Sequence, residues 1–153
     1  MKNIEITDIR EIEAIIKKTR VCHVGMVDGE HPYVLPYNFG YKDKTVYLHS
    51  GPGGRKHDIL QKNNRVCIAF DIDGELNIRN ENVACSYSMK FRSVIITGKV
   101  EIMEDYDEKI NGMNIIMRQY VDRDFEYNAP AINNVVIMRV KAEKITARKR
   151  GYE

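Results

Sequence analysis

The sequence predicts a mainly β fold, a six-stranded antiparallel Greek-key barrel with short helices inserted between the strands. Apolar residues recur at period two through most of the chain, and the turn signals Asp28-Gly29 and Lys42-Asp43-Lys44 stand between such runs. Helical periodicity is confined to short segments, and the elements do not alternate as a βαβ sheet requires.

Asp8 precedes Glu11 at the spacing of a capping box, and Ile9, Ile12 and Ile16 then share one helical face, which predicts a helix over 8–18. Val21–Val27, the turn at Asp28-Gly29 and Pro32–Tyr41 read as a hairpin, since that dipeptide accepts positive φ. Lys42-Asp43-Lys44 turns the chain into a third strand, Thr45–His49, and a glycine-rich loop then leads to a short helix with Ile59 and Leu60 as its apolar contacts. Arg65–Asp71 is a fourth strand, and the polar, Asn-rich stretch Ile72–Asn82 reads as a surface connection. Ser88–Met103 alternates again around Gly98, so a long strand bent or bulged near that glycine is expected. A helix over Asp107–Tyr120 and a last strand from Val135 to about Lys144 complete the order. No internal repeat, low-complexity tract or linker divides the 153 residues, so a single domain over 1–153 is expected.

Composition narrows the function classes. A formal charge of +2 gives no reason to expect a nucleic-acid partner, and the basic cluster Lys141, Lys144, Arg148, Lys149 and Arg150 reads as a solvated strand end and tail. No apolar run approaches the roughly 20 residues of a membrane helix and nothing resembles a signal peptide, so neither a membrane partner nor export is expected, and the cytoplasm is the expected compartment. Cys22, Cys67 and Cys85 are odd in number and far apart, which argues against a disulfide framework and a zinc site. His23, His31, His49 and His57 lack partners at ligand spacing, so no metal is expected. Cys85-Ser86-Tyr87-Ser88 contains no nucleophile elbow.

The segment HSGPGGRKHDIL, residues 49–60, invites a phosphate-binding reading. Gly54 is followed by Arg55, and Lys56 by His57, so no Walker A hydroxyl is placed; a dinucleotide fingerprint would need glycine at position 56. What remains is a simpler anion site made of N–H groups at a helix N-terminus, the Ser50 hydroxyl, and the Arg55 and Lys56 cations. On these residues alone, a plain turn with solvated cations stays equally open.

The strand ending YLHS, the RK that opens a helix running into NNRV, and the later strand SMKFRSVIITGKVEIMED together resemble the pyridoxamine-phosphate-oxidase-like FMN-binding split barrels. Within them the chain is most similar to the nitroimidazole-resistance group, with RVCHVGMVDGEHPYVLPYNFGY fitting the early strands, so that the likeness spans about residues 7–145. The resemblance implies a homodimer with one FMN at each of two equivalent sites between subunits. It implies that His49 or Ser50, with Arg55 and Lys56, meets the phosphate, and that the isoalloxazine ring lies against Leu35, Pro36, Tyr37 and Asn38. It further implies that the start of the long strand, Tyr87 to Arg92, completes the site from the partner subunit. Pro36 agrees with this physically, because it cannot donate to a ladder and so interrupts the strand where a planar ligand needs free backbone groups. The other reading of Tyr33, Tyr37, Phe39 and Tyr41 is an aromatic face packed in the barrel or the dimer interface.

The activity implied is that of an FMN-dependent oxidoreductase, in which NAD(P)H or another donor reduces the flavin and the flavin reduces a small nitroaromatic-type substrate. No catalytic side chain is required for this, because the flavin carries the electrons. The basic and aromatic residues that pyridoxamine-phosphate oxidase uses for its own substrate have no counterpart here, so oxidation of that substrate is not expected. Two alternatives accompany this reading: a heme-binding or heme-degrading split barrel with a histidine ligand, and a flavin-binding redox module without turnover.

Overall fold

The computed structural model describes residues 1–153. One eight-stranded antiparallel sheet runs in the order β3-β2-β6-β7-β8-β5-β4, with β1 on β8. In chain order these are β1 (Asn3–Glu5), β2 (Cys22–Asp28), β3 (His31–Tyr37), β4 (Phe39–Lys42), β5 (Thr45–Ser50), β6 (Arg65–Ile78), β7 (Tyr87–Met103) and β8 (Val136–Arg150). Helices α1 (Ile9–Lys18), α2 (Arg55–Lys62), α3 (Tyr106–Arg118) and α4 (Ala129–Asn133) lie between them.

β3 and β4 are the two edges of the sheet, yet only Asn38 separates them in the chain. The sheet therefore curls until its edges converge at that residue and diverge away from it, which makes an unclosed, split barrel. Inside, Ile12, Ile15 and Ile16 of α1 pack with Val24, Met26, Leu48, Ile68, Phe70, Val94 and Ile96, and Phe39 meets Phe70 edge to face at 5.0 Å between ring centroids. Outside, α3 covers β4, β5 and β8 and α4 packs on α3, with Met103, Ile116, Ile132 and Ile137 all buried.

The mainly β, antiparallel class is as expected, while several elements differ from expectation. There are eight strands rather than six, because Asn38 divides the expected Pro32–Tyr41 strand and because Asn3–Glu5 pairs with Arg148–Arg150. The Ile72–Asn82 stretch is not a connection for most of its length: β6 continues to Ile78, in register with Tyr87–Lys90 past a bulge between Ile72 and Glu75. Its polar side chains are satisfied across the pair, as in Lys90 to Glu75 at 3.5 Å, so polarity there marks exposure and not irregularity. β8 likewise runs through the basic cluster to Arg150, held along β7 on one side and β1 on the other. Asp8 caps α1 by accepting from the Arg10 N–H at 2.9 Å, but Glu11 turns away to Lys149 at 2.9 Å, so the box is not reciprocal; Ile9 is exposed and Ile15 takes its place inside.

The bulge expected near Gly98 is present, with Glu143 as the extra residue on β8 between the pairs Thr97–Lys144 and Gly98–Ala142. A Cβ at Gly98 would stand 2.5 Å from the Lys141 carbonyl oxygen, so no larger residue fits where β8 swings in. No helix is long and apolar enough to cross a membrane.

Candidate functional site

The glycine-rich loop leaves β5 at Ser50 and enters α2 through Gly53 and Gly54, whose φ values of 75° and 91° only glycine adopts at little cost. Gly54 is the N-cap and brings no side chain to it, so the first-turn N–H groups of Arg55 and Lys56 point outward uncapped. A Cβ on Gly51, Gly53 or Gly54 would meet no atom within 4 Å, so the loop faces open space. His57 anchors it from below. This buried imidazole places Nε2 at 2.9 Å from the Gly51 carbonyl oxygen and 3.1 Å from Ser50 Oγ. A carbonyl only accepts, so Nε2 carries the proton and the ring ties the two ends of the loop together.

Arg55 lies over the Tyr33 ring at 4.3 Å and approaches Asp28 Oδ2 at 3.5 Å, which joins α2 to the β2–β3 hairpin. Lys56 makes no ion pair and no side-chain hydrogen bond, and is half-buried. His49 lies opposite Ile137, on the face of β5 away from Val46 and Leu48. Its Nδ1 is buried without a partner, and burial holds the imidazole below its ordinary pKa. Because successive residues of a strand point to opposite faces, this buried nitrogen looks away from Ser50 and the open loop, and of the two residues Ser50 is the one placed at the loop.

The second cluster stands at the split. Tyr33, Leu35 and Tyr37 pack against the core, while Pro32, Val34 and Pro36 are exposed, so the Leu35–Asn38 segment offers outward only Pro36, Asn38 and its backbone. Burial raises the Tyr37 phenol pKa. Behind Asn38 stands a residue that sequence reading missed: Tyr120 Oη accepts from the Phe39 N–H at 3.1 Å and from Asn38 Nδ2 at 3.3 Å, and donates to the Arg20 carbonyl at 2.8 Å. Its neighbour Gln119 donates through Nε2 to the carbonyls of Ile16, Lys17 and Thr19 at 3.0, 3.1 and 2.9 Å, capping the end of α1. These partners lie 81 to 103 residues apart, and no local signal announces them.

Within one chain the loop and β3 meet through Arg55 and Tyr33, whereas Tyr87 and Arg92 stand apart from both. Tyr87 donates to the Glu81 carbonyl at 3.0 Å. Arg92 pairs with Asp73 and lies over Tyr152 at 3.9 Å, and Tyr152 Oη in turn donates to the Asp73 carbonyl at 2.8 Å. A cavity of about 320 Å³ between α1, β4 and α3, lined by Glu13, Lys17, Tyr41, Asp43 and Arg118, shares no residue with the loop. Cys22 is sealed in the core and its thiol is pushed up to about 12 by burial.

A family model described as pyridoxamine 5'-phosphate oxidase matches residues 8–149. Among solved structures, a candidate 5-nitroimidazole antibiotic resistance protein from Bacteroides thetaiotaomicron is 44% identical, with 97% of this chain and 87% of that one covered and a TM-score of 0.86. A flavocytochrome, Anf3, from Azotobacter vinelandii is 22% identical over 97% of this chain and 70% of its own, with a TM-score of 0.82. A FAD-binding protein from Mesorhizobium loti is 21% identical over 99% and 100%, with a TM-score of 0.73. At that identity the last two bear on the fold alone. A search of curated proteins finds no match.

Proposed function

Since the chain belongs to the pyridoxamine 5'-phosphate oxidase family, we propose that it is an FMN-binding oxidoreductase that passes electrons from a donor such as NAD(P)H to a small, flat, electron-poor substrate of the nitroaromatic type. The observation that carries this reading is the opening of α2, where uncapped N–H groups and two positive-φ glycines face open space, with Ser50, Arg55 and Lys56 in the same short stretch of chain. That donor set suits a terminal phosphate dianion. There is one such cluster and no second glycine-rich turn for an adenylate, which favours FMN over FAD.

When bound, FMN supplies the electron transfer itself. The residues of the chain bind and orient. Arg55, fixed on Tyr33, offers two parallel N–H donors to phosphate oxygens, and Lys56 adds a point charge. Ser50, whose position His57 fixes, is the member of the His49–Ser50 pair that offers its hydroxyl to the phosphate. β3 runs on through Pro36 to Tyr37 in register with β2 and is not interrupted at the proline, so Leu35, Pro36, Tyr37 and Asn38 offer the ring only the unpaired outer edge of the strand, at Pro36 and Asn38.

We also propose that the site is completed by a second copy. β6 and β7 extend past the barrel as a two-stranded arm, and Leu76, Ile78, Tyr87 and Met89 form one apolar face of it, 41–54% exposed. An identical arm crossing a two-fold axis buries that face and carries Tyr87 toward the partner's loop, with Arg92 at the base of the arm where β7 also pairs with β8. Cys67 and Cys85 are exposed and unpaired, which suits a reducing compartment, and we place the protein in the cytoplasm.

The absorption spectrum of the purified protein, followed by titration of apoprotein with FMN and FAD and a screen of nitroaromatic reduction with NADH and NADPH, tests the reading. Flavin bands, tighter binding of FMN and turnover are expected; a Soret band in their place overturns it in favour of heme. Sedimentation is expected to give twice the chain mass, and a flavin-loaded monomer overturns the shared site.

A further inference from the structure

We infer that Asn38 is locked as an outward-facing hydrogen-bond acceptor and that it recognises an N–H edge of the bound ring, the imide N–H of a flavin. The inference rests on the flavin reading above and follows from hydrogen-bond accounting at Tyr120. A phenol hydroxyl has one proton and two acceptor positions. The proton of Tyr120 goes to the Arg20 carbonyl at 2.8 Å, because a carbonyl oxygen can only accept. One acceptor position takes the Phe39 N–H at 3.1 Å, since a backbone N–H can only donate. The remaining position requires a donor, so the Asn38 amide must turn its NH2 group inward, as it does at 3.3 Å. Its Oδ1 is thereby forced outward, with no protein partner, at the exposed point where the barrel splits.

An amide free to rotate offers a ligand either a donor or an acceptor; this one offers only an acceptor. The polar edge of an isoalloxazine carries a single N–H between two carbonyls, and only that N–H complements Oδ1, while either carbonyl would meet it lone pair to lone pair. Tyr120 is thus a positioning residue that acts through Asn38. Gln119 stabilises the same turn but touches only the α1 carbonyls, so the two neighbours have separable effects.

The experiment compares FMN with N3-methyl FMN, titrated into apoprotein of the wild type and of Asn38→Ala, Tyr120→Phe and Gln119→Ala, with thermal unfolding recorded for each. The wild type is expected to bind FMN roughly five- to tenfold more tightly than the methylated flavin. That ratio is expected to fall within about twofold in Asn38→Ala and Tyr120→Phe, and to persist in Gln119→Ala even as its unfolding midpoint drops. A ratio unchanged in Asn38→Ala and Tyr120→Phe means the methyl group is excluded by bulk alone and overturns the inference, as does a wild type that binds both flavins equally. Asn38 is exposed, so its alanine variant decides the matter even if Tyr120→Phe does not fold. Failure of the wild type to bind either flavin while heme binds is a different result: it removes the flavin reading itself.

Discussion

Arg55 and Lys56 are adjacent and carry the same charge, yet the fold treats them differently. The Tyr33 ring and the Asp28 carboxylate hold Arg55, while Lys56 has no partner. A guanidinium already fixed loses less freedom on meeting a phosphate, so Arg55→Lys is expected to weaken FMN binding although the charge is kept. Charge-assisted hydrogen bonds contribute about 1.5–3 kcal/mol, so Arg55→Ala or Lys56→Ala is expected to raise the dissociation constant about ten- to a hundredfold in a fluorescence titration, and unchanged affinity in both places the phosphate elsewhere. His49 has a pH signature. Burial lowers its folded-state pKa below the ordinary 6.5, so as pH falls the unfolded chain takes the proton first. Stability is complete above the ordinary value and declines as pH drops through it toward the lower folded value. The unfolding midpoint of the apoprotein is expected to fall between about pH 7.5 and about pH 5.5, with a shallower fall in His49→Gln. The loop residues were legible in the sequence because a glycine-rich turn with cations at a helix start is a local signal. Tyr120, Gln119 and Tyr152 were not, because their partners are set by packing between segments about half the chain apart or more.

At the scale of elements, hairpins and α1 were readable from period and turn residues, and the misreadings have one cause. Ile72–Ile78 and Arg148–Arg150 look irregular or solvated as isolated segments, yet long-range pairing with β7 and β1 makes them strands, which local composition does not reveal. Gly98 was legible as a break in a strand, and the structure supplies the reason, the swing of β8 around Glu143. Gly98→Ala sets a methyl group 2.5 Å from the Lys141 carbonyl oxygen, so backbone must move. A loss of about 1–3 kcal/mol in urea unfolding is expected; a neutral result means that the bulge relaxes freely.

For the whole molecule, the class of fold was legible because a Greek-key order leaves its turns in the sequence, whereas the closure was not, since a single residue at Asn38 carries the chain from one edge of the sheet to the other. One of those edges has a consequence for the life of the protein in a crowded solution. In the β2–β3 ladder, Pro32 and Pro36 stand opposite Val27 and His23, and a proline can occupy only the pairs that exchange no hydrogen bonds. The backbone groups of residues 32, 34 and 36 therefore all face away from β2, and two of those three positions have no N–H to offer. A stray extended chain that tries to zip onto β3 finds carbonyl oxygens and the lone Val34 N–H, too few donors to hold it. Pro32→Val with Pro36→Val restores the missing donors beside the 58% exposed Val34 and is expected to turn a clear solution into one that forms thioflavin-positive fibrils under agitation. If the double variant stays clear, something other than proline guards that edge.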